Sequence, residues 1–571
     1  MKRHLAQEAL ERIAQSADSE QRSVSDSDEE ASKTEDDDNT DDEVSNLVPP
    51  IGSDSSDDSA GSGEETEETA GPSNEWKSKN GQIVWSPTHA ETLRYIPATG
   101  AVPGPTRYAT TRISTVKSCF DLFMTEKIMQ LLLDMTNLQG RRSLTDWKDI
   151  DATDLQAYVG LLILAGVYRS RDESTRSLWD GHTGRAVFRA TMSHHTFSLI
   201  SSNLRFDDKL TRPARHQKHD KLAAFRTIWE KWVHRLPLLF NPGQDVCVDE
   251  QLVPFKGRCG FRQFMPRKPA KYGIKIWVTC DVITSYAWKM QIYTGKPAGS
   301  PEVNQGQRVV LEMTEGLQGN TVTCDNFFTS YALAEELLRR KLALVGTIRK
   351  NGPELPPQLL QTRQRAPRSS RFAFTRTHTA VSYVPKRGKN VLLLSTKHRE
   401  PAVSHTEHQK PTIITDYNRC KGSVDNLDKV VGAYSCRRRT CRWPLVLFYN
   451  MLDVSAYNAF VLWTAVDPSW NRAKTFKRRL FMEELGKMLV SPQMLRREHL
   501  PRTPAAAAMV AELQDPGDGP VPDSTDSTDS KRRRWCEFCT GRKKKTATTC
   551  IKCGKHTCKD HTSSYCSSCC T

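Results

Sequence analysis

The stretch DVCVDEQLVPFKGR, residues 245–258, decides how the rest of the chain is read. A short apolar run, Val246-Cys247-Val248, leads into the acidic pair Asp249-Glu250, and a second apolar run follows at once. β-Branched residues favour extended backbone, so the pattern predicts a buried strand presenting a carboxylate at its edge, where the core opens. The pattern returns in NTVTCDNFF, residues 320–328, where Val322-Thr323-Cys324 runs into Asp325 and two phenylalanines close behind it. A third acidic site, GSVDNLD at 422–428, spaces Asp425 and Asp428 three residues apart, on one face of a helix. A lone aspartate at a strand end is ordinarily a turn or cap residue. Three sites framed alike match what two-metal phosphodiester chemistry needs. Mg2+ takes hard oxygen ligands and keeps several waters, so two or three carboxylates suffice. Two such ions roughly 4 Å apart stabilise both the attacking and the leaving oxygen. The expectation is that these carboxylates meet around divalent metal, and that the rest of the chain brings DNA to them.

Charge supports that partner. The formal net charge of +15 conceals a division: residues 1–71 hold 22 acidic against 5 basic side chains, leaving 77 basic against 45 acidic in residues 72–571. A body with net +32 favours a polyanion, nucleic acid before an anionic membrane. No membrane span is expected, since the best decoy, residues 444–463, is interrupted by Asn450, Asp453 and Asn458 and reads as a buried helix. The N-terminus lacks the charged-then-apolar pattern of a signal peptide. Sixteen cysteines without a secretion signal point to thiols and zinc rather than disulfides. At 571 residues, two to four domains are expected.

Along the chain, residues 1–71 are acidic and serine-rich, with too little apolar content to offset ordering entropy, and read as disordered. Residues 73–105 read as a linker or loosely docked arm. Residues 118–240 are patterned as helices. In them LQAYVGLLILAGV (155–167) is apolar all round, and Phe225, Ile228, Trp229 and Trp232 make a stripe read as core. From Asp245 the period becomes that of strands, with one helix near 331–340, which predicts a mixed α/β sheet. Lys268 and Lys271, beside the first acid, suit phosphate tracking. Residues 351–411 read as an insertion. Arg437, Arg438, Arg439, Arg442 and Trp443, in CRRRTCRWP, suit backbone clamping and base stacking. Residues from 505 to 531 read as a flexible linker.

Eight cysteines fall in residues 536–570, and four pairs share one spacing: Cys536/Cys539, Cys550/Cys553, Cys558/His561 and Cys566/Cys569. A two-residue gap lets both side chains of a tight turn reach one tetrahedral ion, so eight ligands predict two structural Zn2+. His556 and Cys570 remain spare candidates. Basic runs at 531–534 and 542–545 suit DNA binding or nuclear import.

The motifs VDEQLVPFKGR, RKPAKYGIKIWVTCD, VTCDNFFTS, LVGTIRKN, GSVDNLD and RRRTCRWP, in this order, resemble the piggyBac transposases. The resemblance implies an α/β RNase H-like catalytic core with an insertion domain, embedded in a mainly helical dimerisation and DNA-binding domain, plus a C-terminal cross-brace zinc domain. The expected division is a disordered region and linker at 1–104, helical domain at 105–244, catalytic domain at 245–350 and insertion at 351–411. The last catalytic helix follows at 412–435, the second helical part at 436–504, a linker at 505–530 and the zinc domain at 531–571. By similarity, Asp249, Asp325 and Asp425 are the catalytic acids holding two Mg2+, with Asp428 assisting. Pairs one and three of the cysteine cluster would share one Zn2+, and pairs two and four the other. The implied activity is cut-and-paste DNA transposition at TTAA sites through hairpin ends, by a nuclear homodimer acting on double-stranded terminal repeats. No small-molecule substrate and no covalent protein intermediate are implied. A domesticated, chromatin-associated DNA binder without strand transfer is the alternative.

Overall fold

The apolar run before Asp249 does form a strand, but the strand does not stop at the acids. In the computed structural model, which describes residues 75–89, 98–217, 220–296, 302–515, 534–539, 544–546 and 556–561, β1 (Asp245–Pro254) runs ten residues. The acidic pair therefore sits mid-strand, which corrects its expected place at an edge. The reason is the partner: β1 pairs antiparallel along its length with the strand at Tyr272–Asp281, Asp249 facing Val278 and Glu250 facing Trp277. The apolar run in KYGIKIWVTCD supplies an unbroken ladder.

Around this pair the sheet has nine strands: β1, β2 (Gln263–Phe264), β3 (Tyr272–Asp281), β4 (Ala287–Ile292), β5 (Thr321–Cys324), β6 (Ala343–Thr347), β7 (Ser369–Phe374), β8 (Thr379–Val384) and β9 (Val391–Ser395). The order is β7-β8-β9-β6-β5-β1-β3-β2, with β4 also on β3. β5 and β6 run parallel to β1, and β3, β4 and β9 are antiparallel to their neighbours. Residues 351–411, read as an insertion, thus continue the sheet outward from β6 through β9. β2 is only two residues long.

Helix α1 (Ala152–Val167) begins at Asp151, whose side chain forms a capping box with Asp154, and twelve of its sixteen residues are buried. Helix α2 (Gln305–Met313) was not foreseen, and α3 (Tyr331–Arg339) was. Then come α4 (Thr412–Cys420), α5 (Ser423–Ala433), α6 (Trp443–Val466) and α7 (Lys477–Leu495). α1 and α7 touch at Gly160 and Gly486: a Cβ on Gly486 would lie 2.6 Å from Leu164 Cγ, too close for any larger residue.

α6 is long and apolar enough to cross a membrane, yet its apolar window is wholly buried inside the protein. The polar residues that interrupt it are each paired. Asn450 donates to Gln251 Oε1 at 3.0 Å, Asp453 accepts from Cys436 N at 2.8 Å, and Asn458 donates to Ala287 O at 3.0 Å. Buried amides and carboxyls need such partners, so these residues weld the helix to sheet and loop. The stripe Phe225, Ile228, Trp229 and Trp232 is core, with Trp232 Nε1 donating to Ser455 Oγ at 2.9 Å.

Two expected linkers carry structure. Residues 75–89 form a hairpin whose Trp85 is fully buried, its indole donating to Glu354 O at 2.9 Å. The large apolar ring overrides the Gly/Pro-rich surroundings. The linker expected from 505 begins as a helix, Pro504–Gln514, with Ala506 and Val510 buried. Four alanines are strong helix formers behind an N-terminal proline. The chain divides into two compact units, residues 1–513 and 514–571. Residues 1–71, read as acidic and disordered, lie outside the described residues.

Candidate active site and cysteine cluster

The register of the central strands brings the first two acids together. β1 and β5 pair in parallel up to Val248 against Cys324, so the residues that follow are Asp249, still within β1, and Asp325, just past the end of β5. Neighbouring strands lie about 4.8 Å apart, and parallel residues in register share a face. Asp325 is the first residue past β5, and its Oδ1 accepts from Phe327 N at 2.9 Å. Helix α5 packs on β1 and β3. It carries Asp425 in its first turn and Asp428 one turn on.

The carboxylates share one electrostatic neighbourhood. Burial pushes Asp249 well above the ordinary carboxylate range, with Glu250 and Asp325 adding to the shift. Burial also raises Asp325 to about 6, with Glu250 adding and the Phe327 amide opposing. Asp428 rises to about 7, again from burial first, although Gln251 Nε2 donates to its Oδ1 at 2.7 Å. Lys268 Nζ lies 3.1 Å from Asp425 Oδ1 and 3.1 Å from Glu250 O. Burial opposes its charge, yet Asp425 and Asp249 together hold the ammonium above its usual pKa. Lys275 Nζ lies 3.7 Å from Glu250 and 3.8 Å from the Trp277 ring centroid. Among the described residues, no three of these carboxylates have ligand oxygens all within 4.8 Å of one another. The acids converge on one place without closing to a single ligand shell, Asp425 being held by Lys268. The donor set is all hard oxygen and carries excess negative charge, which suits Mg2+.

Beside the acids opens a cleft of about 670 Å3 lined by Lys268, Asp425, Asp428, Arg437, Asn450 and Asp453. The arginines expected at DNA divide in two. Arg438 donates to Ser170 O and Glu173 O, and Arg442 to Ser201 O, Ser202 O and Leu204 O. Burial lowers Arg442 to about 10. Both pin the arginine loop to the helical segment. Arg437 lines the cleft, and Arg439 and Lys271 are exposed. Trp443 is half-buried, its ring edge-on to Phe261 at 5.1 Å, and opens α6.

Sequence reasoning missed Gln251 and Asn450 as neighbours of the acids. Gln251 carried a signal, being two residues from Asp249 on a strand and so on the same face.

In the C-terminal unit, Cys536, Cys539, Cys558 and His561 converge, their ligand atoms all within 4.8 Å. Cys539 Sγ lies 3.8 Å from Cys558 Sγ, and His561 Nδ1 lies 3.7, 3.7 and 3.2 Å from the sulfurs of Cys536, Cys539 and Cys558. A tetrahedral site with metal–sulfur bonds of about 2.3 Å has sulfur–sulfur edges of roughly 3.8 Å. These are the first and third pairs. Cys550, Cys553, Cys566, Cys569 and Cys570 lie outside the described residues. His556 is not among the four.

Residues 115–460 match the family described as Transposase IS4. The chain is 25% identical over 389 residues to human PiggyBac transposable element-derived protein 3, covering 63% of this chain and 64% of that one. It is 22% identical over 379 residues to human PiggyBac transposable element-derived protein 2, covering 60% of each. It thus spans less than two thirds of either curated relative. A cryo-EM structure of the piggyBac transposase synaptic complex with hairpin DNA superposes with a TM-score of 0.68 at 32% identity, covering 82% of this chain and all of that one.

Proposed function

Because the chain belongs to the piggyBac family of DDE transposases, we propose that it is a cut-and-paste DNA transposase. It would cleave and rejoin double-stranded DNA at TTAA sites through hairpin ends, as a nuclear homodimer. The observation that carries this reading is the β1–β5 register, which sets Asp249 and Asp325 directly after the paired Val248 and Cys324, with the helix that bears Asp425 and Asp428 packed on β1. The β4-β3-β1-β5-β6 order, with β5 and β6 parallel to β1, supports an RNase H-like core. The all-oxygen donor set supports two Mg2+ held by Asp249, Asp325 and Asp425, with Asp428 assisting. Held there, Mg2+ would supply activation of a hydroxyl nucleophile and neutralisation of charge on the reacting phosphate.

The chain's own residues do the rest. Gln251, oriented by Asn450, fixes the Asp428 carboxyl. Lys268 holds Asp425 and offers a charge that a phosphate can exchange for the carboxylate. Arg437, Arg439 and Lys271 are placed to track backbone, whereas Arg438, Arg442 and Trp443 would act by fixing the loop that carries them. Cys536, Cys539, Cys558 and His561 would hold one structural Zn2+. Cys550, Cys553, Cys566 and Cys569 supply ligands for a second.

The test is incubation of the full-length protein with a TTAA-flanked transposon end and Mg2+, beside Asp325→Asn. Nicked and hairpinned DNA from the parent only is expected. Equal cleavage by both would remove Asp325 from the mechanism, and DNA binding without cleavage would leave the domesticated DNA binder.

A further inference from the structure

The turn between β1 and β3 holds two large aromatic rings out in water. Phe264 is 58% exposed and Tyr272 40% exposed. They face each other across the β2–β3 pair, ring centroids 4.8 Å apart. The Arg262 guanidinium lies 5.4 Å from the Tyr272 ring and is tethered by donation to Lys256 O and Gly257 O. The rings are thus held as a pair rather than left loose. An exposed apolar patch rimmed by polar groups marks a contact surface.

Charge decides the partner. Residues 251–280 contain seven lysines and arginines and no aspartate or glutamate. Lys256, Arg258, Arg262 and Lys271 are exposed around the rings. A partner combining flat π-faces with dense negative charge is a nucleic-acid strand. Bases inside a duplex offer only their edges, so a ring pair can reach a face only where a base has left the stack. Position agrees. Tyr272 lies six residues along β3 from Val278, the partner of Asp249, or about 20 Å at 3.3 Å per residue. The same turn sends Lys268 to Asp425.

We propose that Phe264 and Tyr272 form a stacking platform for an unpaired base of the DNA strand led to the acids, with Lys256, Arg258, Arg262 and Lys271 on its phosphates. This rests on the reading of the chain as a DNA-handling protein. The test uses the full-length protein without added divalent metal. Affinity is compared for a fully paired duplex and for one with a two-nucleotide unpaired bubble at TTAA, with 2-aminopurine placed at each position in turn. The parent should prefer the bubble and change the fluorescence of one position. Phe264→Ala with Tyr272→Ala should lose that preference by about five- to hundredfold, the range of base–aromatic stacking, and keep its affinity for paired DNA. Phe264→Trp should retain the preference, and Phe264→Leu should not. A parent that binds both DNAs while the double variant keeps its bubble preference overturns the platform alone. A double variant that changes oligomeric state but not bubble preference makes the patch an interface between copies and also overturns it. A parent with no affinity for either DNA overturns the functional reading and the platform together.

Discussion

Asp325 and Asp428 sit where a carboxylate is costly to ionise, and this ties metal binding to pH. Their carboxyls titrate at about 6 and about 7, raised mainly by burial, against an ordinary value near 4. The folded state therefore holds these protons more tightly than the unfolded chain. The sign follows: their contribution to stability is fully present below about pH 4 and is lost as pH rises through 6 to 7. A metal ion bound by these acids would reverse the balance, because each ligand must first lose its proton. Between pH 5.5 and 7.5, Mn2+ affinity measured by calorimetry should rise by about tenfold per pH unit for each proton displaced. Asp428→Asn should flatten the upper part of that profile. A profile without slope would mean the ion binds elsewhere. The acids themselves were legible in the sequence, because each follows a short β-branched run or lies at helical spacing. The Gln251–Asn450 relay that orients Asp428 was not, since Asn450 is 199 positions away and only the packing of α6 against β1 brings it close.

At the scale of elements, the arginine loop shows how a motif legible by composition divides in the fold. Four arginines between residues 437 and 442 looked equivalent in sequence, but Arg438 and Arg442 spend their donors on carbonyls of the helical segment. Charged hydrogen bonds of this kind contribute about 1.5–3 kcal/mol each. Arg442→Ala should therefore lower the melting temperature, measured by calorimetry, with reduced DNA binding only as a consequence. Arg439→Ala should leave melting unchanged, weaken DNA binding and reduce the salt dependence of affinity by close to one counterion. Equal effects of the two substitutions on melting would show that the division is wrong. The outward strands β7, β8 and β9 were expected as a separate insertion. They join the central sheet because β6 would otherwise present an unpaired edge, a consideration that single-strand patterns do not contain.

The whole molecule consists of two units that should come apart in their chemistry. The first is stabilised by a large apolar core that includes the buried helix α6, and the second has few buried apolar residues among those described, Cys536 and Cys558 prominent among them. Folding of residues 531–571 should then depend on Zn2+. Chelation should release zinc and abolish the amide dispersion of this unit by NMR, while the melting transition of residues 75–513 stays in place. Two zinc ions per chain by elemental analysis are expected, and none would remove the cluster from the metal account. The mixed sheet, the buried apolar helix, the strand–acid pattern and the cysteine spacing were legible in the sequence, because periodicity, side-chain volume and ligand pitch are local properties. That Asp249 lies mid-strand beside Asp325, that Lys268 holds Asp425, and which arginines face inward emerged with the fold. Those outcomes depend on strand register and helix docking, which bring together residues far apart in the chain and are set by the packing of the whole core.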